Sequence, residues 1–130
     1  MDYVFDLAIP KNTPASAPVG STLRIPRGWI KQVRAYFPAG CAGLVGLRAA
    51  IDGIQVYPSN RESWYRGDGL NIVFDDSLLL EAPFQTLEVQ GYNLDDTFEH
   101  TPTFGMTVLA TEENPTVWWL ASLGYQGEVT

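Results

Sequence analysis

The sequence predicts an all-β domain: a single β-sandwich, jelly-roll-like, or a small barrel of about eight short strands. Three observations predict it. Apolar and polar residues alternate over short stretches, as in Tyr3, Phe5, Leu7 and Ile9, or Phe104, Met106 and Val108, which is the period of a strand with one buried face. Twelve Gly and nine Pro punctuate the chain at short intervals. No segment long enough for a helix carries a helical apolar period before Val117. With 130 residues, 45% of them apolar, the chain suits one domain with its own core.

The first strand alternates from Asp2 to Ile9 and is stopped by Pro10. Residues 10–22 form an extended Pro-rich segment whose residues are mostly small or polar, with Asn12, Pro14 and Pro18 as candidate partner contacts. Leu23 and Ile25 suggest a short strand ended by Pro26. In "GWIKQVRAYF", Trp29, Val33, Ala35 and Phe37 share one face, and Lys31 falls on that face as a misfit. Pro38, Gly40 and Gly43 make a turn around Cys41. Val45 to Ile51 and Ile54 to Tyr57 read as a hairpin, because Asp52-Gly53 tolerates the positive φ of a two-residue turn. A loop, "SNRESWYRGDG", precedes the strand "LNIVF". "DDSLLLEAPF" suits a helical turn or an irregular crossing, and "QTLEVQGYN" and "TFGMTVLA" are further strands. The β-domain therefore spans 1–110, and the polar "TEENP" introduces a C-terminal docking arm, 111–130.

Charge and composition narrow the function. The net charge of −7 opposes nucleic-acid binding, which relies on cationic contacts to phosphate. All eight basic residues lie in 1–66 and eleven of the acidic ones in 67–130, an asymmetry that suits complementary contacts between copies or with another protein. One Cys excludes an intrachain disulfide framework, and no His/Cys spacing suits zinc. No apolar run reaches the length of a membrane span, and the start lacks the basic and apolar regions of a secretory signal, so the expected product is made in the cytoplasm, without membrane or cofactor.

Candidate chemistry is sparse. Cys41 and His100, with Asp95 or Asn93 as orienter, would be the residues of a thiol nucleophile, but no nucleophile signature flanks them, nor is there a G-x-S-x-G elbow or a phosphate loop. Asp95, Asp96 and Glu99 offer hard oxygens for Ca²⁺, yet their spacing is not that of an EF-hand, and turn-forming Asp accounts for them; no catalytic or metal residue is assigned. In "WYRGDG", Trp64, Tyr65 and Asp68 would form a ligand-binding loop for a sugar: an aromatic face with a carboxylate acceptor.

Taken in order, "IPKNTP", "FPAGCAGLV", "YPSN", "WYRGDG" and "YNLDDTFEHT" resemble motifs of small tailed-phage virion-associated β-domain proteins, over roughly residues 5–108. The resemblance implies a virion structural protein rather than an enzyme: a capsid decoration or cement subunit that oligomerises, as a trimer among other options, and bridges capsomers by contact with the major capsid protein. A neck, tail or fibre-associated component is the neighbouring expectation, and a carbohydrate- or receptor-binding module the alternative. The arm lies outside the resemblance. Its "VWWLASLGY" is too short to span a membrane and apolar on both strand faces, so Trp118, Trp119, Leu120, Leu123 and Tyr125 are expected in a contact between chains.

Overall fold

A computed structural model describes residues 1–60 and 62–110, and every regular element among them is a β-strand. The strands are β1 (Asp2–Asp6), β2 (Val19–Phe37), β3 (Val45–Ile51), β4 (Ile54–Tyr57), β5 (Tyr65–Arg66), β6 (Leu70–Asn93) and β7 (Thr103–Ala110). They form one open antiparallel sheet in the order β1-β7-β2-β6-β3-β4, with β5 pairing on β3. The chain is thus all-β, as the alternation and turn content predict.

The expected series of about eight short strands differs from the seven found, because two are long. β2 has 19 residues and β6 has 24, and they pair along nearly their whole length. Pro26, expected to end a strand, lies inside β2. The register to β6 shifts between Pro26 and Gly28, and proline is tolerated in sheets at such irregularities because a ladder bond is already missing there. "DDSLLLEAPF", expected as a turn or crossing, is the part of β6 that carries the matching extra residues.

A second register shift explains the Lys31 misfit. Between Ile30 and Gln32 the pairing of β2 slips against both β6 and β7. The extra residue changes the phase of the pleat. Ile30 rather than Trp29 therefore joins Val33, Ala35 and Phe37 in the core, while Trp29 is only half-buried and Lys31 is exposed, its ammonium 6.0 Å from the Trp29 ring centre.

Elsewhere one slip remains, where β3 meets β4 between Ala49 and Ala50. β1 pairs with β7 from Asp2↔Thr107 to Asp6↔Thr103. The same register continues beyond β1: Leu7 N–H donates to the Pro102 carbonyl (3.0 Å) and Ile9 N–H to that of His100 (2.9 Å). Asp52 (φ 51°) and Gly53 (φ 85°) make the expected hairpin turn between β3 and β4. Buried side chains from both ends of the long strands, Ile25, Ile30, Val33 and Phe37 of β2 with Leu80, Leu87 and Val89 of β6, belong to one contiguous core with Leu47 and Met106. Each such side chain contributes about 1.5–3 kcal/mol by leaving water.

Candidate functional site

Four segments far apart in sequence meet at one end of the sheet. They are residues 9–14, the turn 38–44, the turn 67–69 and the loop 93–100. Backbone bonds tie them together. Thr13 and Asn93 exchange N–H···O bonds of 2.8 and 2.9 Å, and Ile9 and His100 exchange bonds of 2.9 and 3.2 Å. Asn12 N–H donates to the Asp95 carbonyl (2.9 Å), Leu94 N–H to that of Leu44 (2.9 Å), and Gly69 N–H to that of Pro38 (3.2 Å). These segments hold "IPKNTP", most of "FPAGCAGLV" and "YNLDDTFEHT", and the last three residues of "WYRGDG".

Side chains fix the loop 93–100. Asn93 is fully buried; its Nδ2 donates to the carbonyls of Ile9 (3.1 Å) and Phe98 (2.9 Å), and its Oδ1 accepts from Asp95 N–H (2.9 Å). Asp95 Oδ1 accepts from the N–H groups of Thr97 (2.8 Å) and Phe98 (3.3 Å), and Oδ2 lies 2.9 Å from His100 Nε2. The His100 bond first, and then the Thr97 amide, hold the Asp95 carboxyl below the usual carboxylate range. Such Asx geometry is how Asn and Asp stabilise turns. Asp96 accepts from the Thr97 hydroxyl (2.9 Å) and Glu99 is exposed, so the acidic residues weighed for Ca²⁺ do not converge. Among the described residues no group of three or more His, Cys, Asp or Glu could hold a metal ion.

The neighbouring turn is built on Asp68. Its Oδ1 accepts from Gly40 N–H (2.7 Å), and the amides of Ala42 first, then Gly40 and Cys41, hold its carboxyl below the usual range. Successive backbone N–H groups form an anion-binding concavity, and here a carboxylate of the same chain fills it. The Asp of Arg-Gly-Asp is therefore an internal staple. Cys41 beside it is fully buried, and burial first, then the negative charges of Asp68 and Asp95, pushes its thiol up. A protonated buried thiol is a weak nucleophile.

Among polar residues such as Asn12, Asp96 and Glu99, this end also presents apolar side chains outward. Phe98 is 63% exposed, Leu94 54% and Leu44 37%, each on a backbone held by the bonds above. Asn12 (φ 58°) and Pro14 are exposed beside them, and Pro18 is half-buried. Thr13 between them is buried and donates its hydroxyl to the Pro10 carbonyl (2.7 Å), so the Pro-rich segment is anchored to its own domain before it turns at Pro14, where Ala17 N–H donates to the Pro14 carbonyl (3.1 Å). Sequence reasoning did not single out Leu44, Leu94 or Phe98, and it named Asn93 only as an orienter for His100. The available signal was large apolar residues inside a loop otherwise rich in turn-forming Asn and Asp.

The sequence-nominated ligand loop is divided. Trp64 and Tyr65 line a cleft of about 490 Å³ with Pro58, Asn60, Arg66 and Tyr92, whereas Asp68 is spent on the Gly40 turn. The Arg48 guanidinium sits 4.1 Å from the Trp64 ring centre, and Tyr92 meets the indole edge-to-face at 4.8 Å. Burial pushes the Tyr65 phenol up to about 12, with the Asp76 charge adding to it, and its ring packs 6.2 Å from Phe74. Tyr92 in turn lies across Gly46, where an added Cβ would stand 2.3 Å from Tyr92 Cε2, so this strand position requires glycine.

Trp118, Trp119, Leu120, Leu123 and Tyr125 lie outside the described residues. No helix among the described residues is long and apolar enough to cross a membrane. No protein-family model matches the chain, and no curated protein matches it.

Proposed function

We propose that this chain is a structural protein of a virus particle, a capsid decoration or cement subunit that oligomerises and bridges capsomers through the major capsid protein. One observation carries the reading: four of the five motifs that resemble phage virion proteins meet, in whole or in part, at one end and hold Leu44, Leu94 and Phe98 outward on hydrogen-bonded loops. Apolar side chains on a pre-organised frame favour protein contact, because little ordering entropy is lost on docking. In this reading the chain is not an enzyme and carries no cofactor, Cys41 and His100 serve packing and loop geometry, and the protein is made in the host cytoplasm and ends in the virion. The shared core of both ends of β2 and β6 fits a sheet curled into two facing layers, jelly-roll-like. A neck, tail or fibre position would use the same surface.

The test is location and copy number. Mass spectrometry of purified particles is expected to find the chain in many copies per particle, and light scattering of the isolated protein to find a discrete oligomer such as a trimer. Absence from particles, together with a monomer at every concentration, overturns the reading.

A second reading follows from the cleft of Trp64, Tyr65, Asn60 and Tyr92, whose aromatic and polar lining suits a sugar or receptor glycan. It ranks lower because Arg48 already covers the Trp64 ring. Glycan-dependent quenching of tryptophan fluorescence, lost in Trp64→Ala, would favour it.

A further inference from the structure

Gly46 of β3 has Tyr92 of β6 opposite it on one side and Arg66 of β5 on the other. Arg48 lies two residues along β3, so Arg48 and Arg66 are diagonal neighbours on the outer face, with Cα atoms roughly 7–8 Å apart. Two like charges so close repel one another, and neither forms an ion pair with a described carboxylate.

Arg48 is nevertheless held in place. Its Nε donates to Gln90 Oε1 (2.8 Å), and its guanidinium lies 4.1 Å from the centre of the Trp64 ring, which Tyr92 meets edge-on. Neither Nη donates to a described residue. A planar fork fixed by stacking and through Nε is pre-organised for two parallel bonds to one carboxylate.

The loop beside it is equally fixed. Gln55 Nε2 donates to the carbonyls of Pro58 (2.9 Å) and Ser63 (3.2 Å), and its Oε1 accepts from Glu62 N–H (3.3 Å). Asn60 Nδ2 donates to Ser63 Oγ, which leaves Asn60 Oδ1 and the Ser63 hydroxyl proton for a ligand. With Trp64, Tyr65 and Arg66 they line the cleft of about 490 Å³. Arg48 borders a second cleft, of about 410 Å³, with Ala50 and Glu88. Glu62 borders both clefts, so an anion is favoured only between the two guanidinium groups.

We propose that this surface binds an acidic saccharide: its carboxylate takes the Arg48 fork, with Arg66 as the second cation, and its hydroxyls meet Asn60 and Ser63. The inference rests on the glycan reading of this cleft and narrows it. Arg48, which covers the Trp64 ring against stacking by a neutral sugar, is the group an acidic sugar needs. The net charge of −7 opposes a polyanion, so what is recognised is one carboxylate at contact distance and not a charged polymer.

The test is titration of the full chain, by tryptophan fluorescence and calorimetry, with sialyllactose and with a glucuronosyl trisaccharide. Each carries a single carboxylate, and each is compared with its methyl ester, which keeps the sugar and removes the charge. At least one acid is expected to bind about 10-fold or more tighter than its ester. Arg48→Gln and Arg66→Gln should each bring the acid down towards the ester. Arg48→Lys, which keeps the charge but not the fork, should fall between. Because Arg66→Gln leaves the Arg48–Trp64 stack in place, it separates lost binding from lost folding. Equal binding of acid and ester overturns this inference and leaves the glycan reading standing, whereas binding of none of the four removes both. Acid binding that survives both Gln variants also overturns it. So does an acidic tetrapeptide that binds as tightly as the better sugar, which would assign the fork to a protein carboxylate.

Discussion

Asp52 and Thr86 hold one another by two bonds of equal length: Asp52 N–H donates to the Thr86 carbonyl and Thr86 N–H donates to Asp52 Oδ1, both at 2.9 Å. The turn of the β3–β4 hairpin is thereby tied to β6, and Gln85 Nε2 adds a bond to Asp52 Oδ2 (3.2 Å). Asp52→Ala loses the side-chain acceptor and forces alanine into a left-handed conformation at φ 51°. We expect a cost of about 1–2 kcal/mol in urea unfolding. Asp52→Asn, which keeps an acceptor and tolerates that conformation, should stay much closer to the parent.

The loop that presents Phe98 separates stability from contact. Asn93→Ala leaves the buried ends of three bonds unmade and is expected to cost about 1–3 kcal/mol. Phe98→Ser removes an exposed ring and should change stability by no more than about 0.5 kcal/mol. If the apolar end is the contact surface, Phe98→Ser should nevertheless lower oligomer or particle binding in light scattering and co-sedimentation. An unchanged assembly in Phe98→Ser and Leu94→Ser would remove that end from the interface.

Gly46→Ala drives a methyl group into the Tyr92 ring, which is itself held by Trp64. Overpacking of this kind costs about 1–3 kcal/mol. The loss should be partly relieved when Tyr92→Leu is added, giving a double-mutant coupling in thermal or urea unfolding. Simple additivity would mean that the ring moves aside freely.

Acid should loosen the loop end first. Amide donors hold the Asp68 carboxyl down, and the His100 bond and amide donors do the same for Asp95, so both fold with values below those of the unfolded chain. A depressed carboxylate gives stability that is complete above the ordinary value of about 4 and is lost as pH falls through the folded-state value. Hydrogen exchange of residues 38–44 and 93–100 should therefore rise below about pH 4, and Asp68→Asn should weaken that pH dependence. The rest of the sheet should hold its protection longer.

Some of this was legible in the residues. Alternation assigned the core faces of β1, β3 and β7, because period 2 is a local property and where β3 and β7 slip against β4 and β2 the extra residue lies on the partner strand. Asp52-Gly53 announced its turn for the same reason. β2 misled because a bulge near Lys31 is read as a single wrong residue: Trp29 was placed on the core face, and the structure puts Ile30 there instead. Pro26 misled because proline marks a strand end or a bulge with equal local sense.

By itself, then, the sequence determined that the chain would form β-strands, where most turns fall and, outside the bulged part of β2, which side chains leave water. Strand order, the register shifts of β2 against β6, and the meeting of residues 9–14, 38–44, 67–69 and 93–100 were decided only by tertiary structure. The physical reason is range. Alternation and turn preference act between near neighbours along the chain, whereas Thr13 on Asn93, Gly40 on Asp68 and Ile9 on His100 are pairings between distant segments, set by how the whole sheet buries its core.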